Sequence, residues 1–179
     1  EHAWRYWSAV DDRMSPYFDD GAPMRANCLL VENSRNVVVR HLRLHNSTDW
    51  TFRMDTSHDI YVDSIDIYGD ERFPNNDGFD PESCTNVTLV NSAISVADDG
   101  ICPKANAAPL VGLTVRNTTV RSRSGAIKFG SNTGKPHGYR WRLGCILLKM
   151  PAISLSTGLA HAAGANTEGQ VRLALRADY

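Results

Sequence analysis

The sequence predicts an all-β fold, a right-handed single-stranded parallel β-helix, from three observations. First, one nine-residue pattern with apolar residues at its second, fourth and last places recurs at residues 36–44, 59–67, 86–94 and 112–120. Second, these segments start 23, 27 and 26 residues apart, a period within the range of solenoid proteins. Third, no convincing amphipathic helix separates them, which argues against a βαβ fold.

Within each segment, apolar and polar residues alternate, as in a strand with one buried face. The alternation changes phase midway, which indicates a bend between two short strands. Connectors rich in Gly, Asn and Asp close each coil. Because a coil buries its interior only against its neighbours, we expect the apolar positions to point inward and stack in rows. These positions are Val37, Val39, Leu42, Leu44, Ile60, Val62, Ile65, Ile67, Val87, Leu89, Ile94, Leu113, Val115 and Val120.

The repeat divides the chain into two parts. Residues 1–140 are predicted to form a partial β-helix domain, and residues 141–179 an irregular tail or an atypical C-terminal cap. The strand pattern fades in the second part, and Ala becomes common, as in residues 159–165. We therefore expect the chain after about Trp141 to pack less regularly than the coils before it.

Composition narrows the possible partners and location. The formal net charge of −1 gives no field that would attract nucleic acid, and no apolar run is long enough to span a membrane. The chain starts at Glu1 without a signal-peptide pattern. Sequons at Asn46, Asn86 and Asn117 agree with secretion, although such sequons also arise by chance in Asn-rich solenoids. We expect an extracellular, monomeric protein.

The four cysteines, Cys28, Cys84, Cys102 and Cys145, do not follow a metal-ligand pattern. No metal site and no cofactor are therefore assigned. Cys84 and Cys102 fall on neighbouring coils, where they form either a disulfide or two buried free thiols.

Two short acidic runs indicate chemistry. Residues 75–78 read Asn-Asn-Asp-Gly, and residues 98–100 read Asp-Asp-Gly. Asp77 and Asp98 are 21 residues apart, close to one coil. Stacked coils would therefore bring three carboxylates together, an arrangement suited to general acid and base catalysis. The alternative is structural, since Asn and Asp are also common in turns.

These motifs resemble glycoside hydrolase family 28. The run at residues 75–78 is similar to the family's Asn-Thr-Asp motif, and residues 98–104, Asp-Asp-Gly-Ile-Cys-Pro-Lys, to its Asp-Asp-Cys-Ile-Ala-Leu-Lys stretch. The resemblance covers roughly residues 28–133. The family consists of polygalacturonases and related pectin-degrading enzymes with a right-handed parallel β-helix fold. The resemblance implies inverting hydrolysis of an acidic pectic polysaccharide, with Asp98 as general acid and with Asp77 and Asp99 holding the attacking water.

Two further residues are candidates for substrate binding. Asn75 can accept a sugar hydroxyl or form an Asn ladder. Lys128 follows the apolar Ile127 and is expected to face outward beside the acids, where it binds an anionic sugar or is simply solvated. The chain also departs from the family pattern, because Ser124-Gly125 stands where the family has Gly-His-Gly, and no Arg-x-Lys follows Lys128.

Two other function classes stay open. Clustered aspartates also bind calcium, as in a pectate-lyase-like β-helix that works by β-elimination. A lyase needs a base to remove the C5 proton, and no motif for that base is recognisable. The third class is a non-catalytic or truncated β-helix that binds carbohydrate.

Overall fold

The computed structural model describes residues 26–130, 139–149 and 170–178. The described elements are thirteen strands: β1 (Leu29–Glu32), β2 (Arg35–Arg40), β3 (Arg43–His45), β4 (Phe52–Asp55), β5 (His58–Asp63), β6 (Asp66–Tyr68), β7 (Phe79–Glu82), β8 (Thr85–Val90), β9 (Ala93–Val96), β10 (Leu110–Arg116), β11 (Thr118–Ser122), β12 (Tyr139–Lys149) and β13 (Gln170–Asp178). None of the described residues forms a helix long and apolar enough to cross a membrane.

The strands stack into parallel ladders along the axis of a β-helix. One face contains β1, β4 and β7, a second contains β2, β5, β8 and β10, and a third contains β3, β6, β9 and β11. The first face continues through bridges that link Phe79 to Ile101 and Ile101 to Ile127. The predicted fold class, an all-β parallel β-helix, is therefore confirmed.

The observed register reproduces the repeat read from the sequence. Val37 pairs with Ile60, Ile60 with Val87, and Val87 with Leu113. Each of these residues holds the same place in its segment. The repeat therefore predicted the register of this face, and not only the presence of strands.

Most of the residues predicted to face inward do so. Those that are buried are Leu44, Ile60, Val62, Ile65, Ile67, Val87, Leu89, Ile94, Leu113, Val115 and Val120. Val37 and Val39 are partly buried and pack against the same core. Leu42 was predicted wrongly, since it is 37% exposed. It belongs to the first described coil, where Ile65 of the next coil lies on one side and no described coil lies on the other.

The bends between strands follow rows of residues in the left-handed region. Asn36, Asp59, Asn86 and Gly112 occupy one row, with φ of 56°, 57°, 57° and 79°. Asn, Asp and Gly adopt this conformation at low cost. The Asn86 amide also donates to Asp59 Oδ1 at 2.7 Å, which links two coils at the corner. A second row lies midway in each segment, between the strands of the second and third faces, and contains His41, Ser64, Asn91 and Asn117 with φ of 53°, 55°, 53° and 46°. The phase change in each segment is therefore a turn of the solenoid.

The chain after residue 138 both continues and ends the parallel series. Strand β12 crosses the predicted boundary at residues 140 and 141 and pairs in parallel with β10 and β11. Strand β13 pairs antiparallel with β12. The division into 1–140 and 141–179 stays a prediction, and the Ala-rich run within it lies outside the described residues.

Candidate active site

Stacking places Asp77 and Asp99 at equivalent points of two neighbouring coils. Each lies two residues before a member of the Phe79–Ile101 bridge, and the Gly78 amide donates to the carbonyl of Asp99 at 2.8 Å. Both aspartates are buried, Asp77 with 4% and Asp99 with 3% of its surface exposed. Asp77 and Asp99 thus form one row beside the first face.

Asp98 lies at the surface beside this row. It lines a groove of about 380 Å³, together with Glu71, Arg72, Phe73, Pro74, Ala97, Arg123 and Ser124. Asp98 Oδ2 accepts from the Asn75 backbone amide at 3.0 Å and from its side-chain amide at 3.4 Å. Asn75 therefore contacts the proposed acid itself. The structure brings the predicted acids to one region, but Asp98 is the member that lines the groove.

Asn76, which stands where the family has Thr, holds the turn that carries the acids. Its side chain is fully buried and donates to the Asp70 carbonyl at 2.9 Å. Its Oδ1 accepts from the backbone amides of Ala97 at 3.0 Å and Asp98 at 3.1 Å. Asn76 thereby ties the Asn-Asn-Asp turn of one coil to the Asp-Asp turn of the next.

Lys128 lies on the following coil and forms an ion pair with Asp99. Its Nζ is 2.8 Å from Asp99 Oδ2, and Ser124 Oγ donates to Asp99 Oδ1 at 2.9 Å. The hydrogen bond to Asp99 raises the pKa of Lys128. Ser124-Gly125 stands where the family has Gly-His-Gly, and a Cβ added at Gly125 would lie 3.2 Å from Asp99 Oδ1. Ser124 and Lys128, both from the following coil, therefore bind the Asp99 carboxylate.

Asp77 retains its proton unusually well. Burial raises its pKa to about 7, and the charges of Asp98 and Asp99 act in the same direction, while Lys104 opposes them. In a group of interacting acids, such a proton belongs to the group as much as to one residue. Burial and the neighbouring carboxylates therefore favour the protonated form of Asp77 within this group.

A second layer of charge, not singled out from the sequence, lies against Asp77. Asp80 and Lys104 are buried with 0% and 2% of their surface exposed. Lys104 Nζ lies 3.3 Å from Asp80 Oδ1 and 3.9 Å from Asp77 Oδ2. Asp80 lies one position after Phe79, and Lys104 lies three positions after Ile101. Because Phe79 pairs with Ile101, the register of these two coils brings Asp80 and Lys104 close together. Sequence reasoning placed Lys104 in a motif without assigning it a partner.

The same region has the spacing of a metal site but contains a cation of its own. Ligand atoms of Asp77, Asp80 and Cys102 all lie within 4.8 Å of one another. Lys104 Nζ approaches this group and donates to Cys102 Sγ at 3.0 Å. The ammonium therefore supplies the positive charge that a metal ion would bring.

The two cysteines on neighbouring coils are free thiols. Cys84 donates to the Glu82 carbonyl at 3.2 Å, and Cys102 to the Gly130 carbonyl at 3.1 Å. Burial raises the pKa of Cys84 to about 11 and raises that of Cys102 as well. Of the two alternatives, buried thiols are correct and the disulfide is not.

Comparison with known proteins agrees with this geometry. The profile of Glycosyl hydrolases family 28 matches residues 12–138, well over half of the chain. The chain belongs to this family. A relative described as a probable polygalacturonase, from Vitis vinifera, is 33% identical over 72 residues. That match covers 40% of this chain and 15% of the relative. No solved structure gave a significant match.

Proposed function

We propose that this chain is a hydrolase of a pectic polysaccharide and acts by an inverting acid/base mechanism. The observation that carries the proposal is the grouping of Asp77, Asp98 and Asp99 on two adjacent coils, with Asp98 in the wall of a groove. Family membership supports the same reaction class. Groups of carboxylates in which one holds a proton are the machinery of glycoside hydrolysis.

In the proposed reaction, the two kinds of acid have separate tasks. Asp98 donates its proton to the glycosidic oxygen as the bond to the anomeric carbon breaks. Asp77 and Asp99 hold a water molecule, whose oxygen attacks that carbon from the opposite face, and take up its proton. The exposure of Asp98 suits contact with a polymer, and the Asn75 amide fixes the direction of its carboxyl group.

The cations around the groove favour an acidic polymer as substrate. Arg123 lines the groove beside Asp98, together with Arg72, whose guanidinium also pairs with Asp70 at 2.6 Å. Lys128 Nζ binds Asp99 with one of the three donors of its ammonium group. These groups suit the carboxylate of a uronic acid residue in a chain without the family's Arg-x-Lys motif. We further infer that the protein acts outside cells, in keeping with the exposed sequon residue Asn117. We also infer that it acts as a monomer.

Reducing-end release tests the proposal directly. The wild type, an Asp98→Asn variant and an Asp66→Asn variant are assayed on polygalacturonate, methyl-esterified pectin and a neutral glucan. Asp66 is half exposed on β6 and serves as the matched control. We expect hydrolysis of polygalacturonate that Asp98→Asn lowers by a factor of about 10² to 10⁴ and Asp66→Asn leaves unchanged.

The products separate the other function classes. An unsaturated product that absorbs in the near ultraviolet and disappears with a calcium chelator would identify a lyase. Polymer binding without release of reducing ends would identify a non-catalytic β-helix. Wild-type turnover by a folded Asp98→Asn variant would exclude the role given to Asp98.

A further inference from the structure

Lys104 compensates the negative charge of the buried carboxyl groups next to Asp77. Asp77 and Asp80 are adjacent buried acids, and Asp98 and Asp99 add negative charge from the next coil. Burying several carboxyl groups together is costly unless a cation or a proton compensates them. Lys104 is the buried cation of this group among the described residues, and its side chain is only 2% exposed.

The surroundings of Lys104 position its ammonium. Nζ lies 3.3 Å from Asp80 Oδ1 and 3.9 Å from Asp77 Oδ2, and it donates to Cys102 Sγ at 3.0 Å. On a further side, Nζ lies 4.3 Å from the ring centroid of Trp50, a cation–π contact from the coil before that of Asp77. Four groups from three coils thus surround one ammonium.

We propose that Lys104 is a positioning residue for hydrolysis, whose ammonium, held by Asp80, Cys102 and Trp50, orients the Asp77 carboxyl group and favours its ionised form. This inference rests on the proposed function, in which Asp77 must be ionised to hold the attacking water. Lys104 itself is too buried to touch a substrate in the groove. It acts through Asp77, as a cation that arrives from the coil carrying Asp98 and Asp99.

The balance of nearby charges gives the direction of the effect. Burial raises the pKa of Asp77, the charges of Asp98 and Asp99 add to that, and Lys104 lowers it. Burial also raises the pKa of Asp80, and the charge of Asp77 adds to it, so the two acids share protons as a pair. Lys128 acts mainly on Asp99, and the Cys102 thiol stays neutral because its pKa is raised. Removing the ammonium should therefore make Asp77 bind its proton more tightly.

The test measures the titration of Asp77 by ¹³C NMR of its carboxyl carbon, assigned by its loss in Asp77→Asn. Two comparisons differ in Lys104 alone: the wild type against Lys104→Met, and Asp80→Asn against Lys104→Met/Asp80→Asn. The second comparison is used if the Lys104→Met variant does not fold, because Asp80→Asn removes one of the buried acids that Lys104 compensates. We expect each loss of Lys104 to raise the midpoint of Asp77 by about 1 to 3 pH units. Arg40→Met, which removes a cation 5.2 Å above the Tyr61 ring on another face, should leave the midpoint unchanged.

The pH profile of hydrolysis then links this titration to catalysis. The acidic limb of kcat should move to higher pH together with the Asp77 midpoint, which a purely structural lysine would not cause. An unchanged midpoint in both comparisons would overturn the inference, even if the wild type hydrolyses pectic polymers. A raised midpoint in a protein that hydrolyses no polymer would support the charge role of Lys104 and reject the proposed function. A shift of the alkaline limb alone would overturn the assignment, because Asp77 would then be the proton donor.

Discussion

At the scale of single residues, exposure separates acids that the sequence treats alike. Asp98 and Asp99 are adjacent, and in a regular strand their side chains would point to opposite faces. Here the chain bends between Ala97 and Gly100, so that Asp98 lines the groove while Asp99 is buried against Lys128. Asp98 and Asp99 therefore have different surroundings. The proposed roles require this difference, because Asp98 donates a proton and Asp99 holds the attacking water.

Lys128 allows a prediction at this scale, because its ammonium serves both Asp99 and, in the proposed function, a uronate. Replacing Lys128 with Met should raise KM for polygalacturonate about fivefold, the effect of one half-exposed ionic contact worth about 1 kcal/mol. Methyl-esterified pectin, which lacks that charge, should show a smaller change. Steady-state kinetics on both polymers measure the effect. Arg116→Met, an exposed cation on β10, is the control. An equal rise of KM on both polymers would argue against a contact with the substrate carboxylate.

At the scale of elements, the repeat was the part of the structure that the sequence predicted best. Rows of apolar residues with a constant period define both the strands and their register, because each residue must meet its equivalent in the next coil. The pairing of Ile60 with Val87 and of Val87 with Leu113 follows directly. Leu42 failed because burial also depends on the neighbouring coils, and Leu42 belongs to the first coil that the structure describes.

The site was predicted less completely than the register, for a physical reason. Motif spacing located Asp77, Asp98 and Asp99, but the charge layer depends on side chains that reach across coils. Lys104 contacts Asp80, 24 residues earlier in the sequence, and Trp50, 54 residues earlier. No local pattern marks such contacts. They follow only after the register of β4, β7 and residues 101–104 is known.

Gly78 gives a prediction for the element that carries the acids. A Cβ at Gly78 would lie 2.5 Å from the Gly100 carbonyl oxygen and 2.5 Å from Ile94 Cγ2. Gly78→Ala must therefore push apart the two coils that hold Asp77 and Asp99, at a cost of about 1 to 3 kcal/mol. Chemical denaturation measures the loss. Gly112→Asn is the matched control, because Asn36 and Asn86 already hold left-handed conformations in its row. A Gly78→Ala variant as stable as the wild type would show that the coils separate freely there.

At the scale of the whole molecule, the buried acids connect function to stability. The fold retains Asp77 and Asp80 in surroundings that favour their protonated forms. An apolar pair would stack between coils at lower cost. The burial of two such acids beside Lys104 argues that this part of the solenoid serves chemistry at the expense of stability.

The final prediction follows from the sign of these shifts. The pKa of Asp77 is raised from 3.8 to about 7, so between these values the folded protein binds a proton that the unfolded chain has released. Stability must then fall as the pH rises through this window. Asp80, whose pKa is also raised, acts in the same direction. Asp70, whose pKa is lowered to about 2, stabilises the fold above about pH 4 and changes little within the window.

Thermal unfolding between pH 5 and pH 8 measures this dependence. We expect Tm to fall by about 5 °C over that range, which corresponds to a loss of about 2 kcal/mol for a chain of this size. Asp77→Asn should flatten the curve, because the amide neither binds nor releases a proton, whereas Asp66→Asn should leave its slope unchanged. A Tm that rises steadily from pH 5 to pH 8 in the wild type would mean that the unfolded chain binds more protons than the folded one. Asp77 could not then have the raised pKa that its burial beside Asp98 and Asp99 implies.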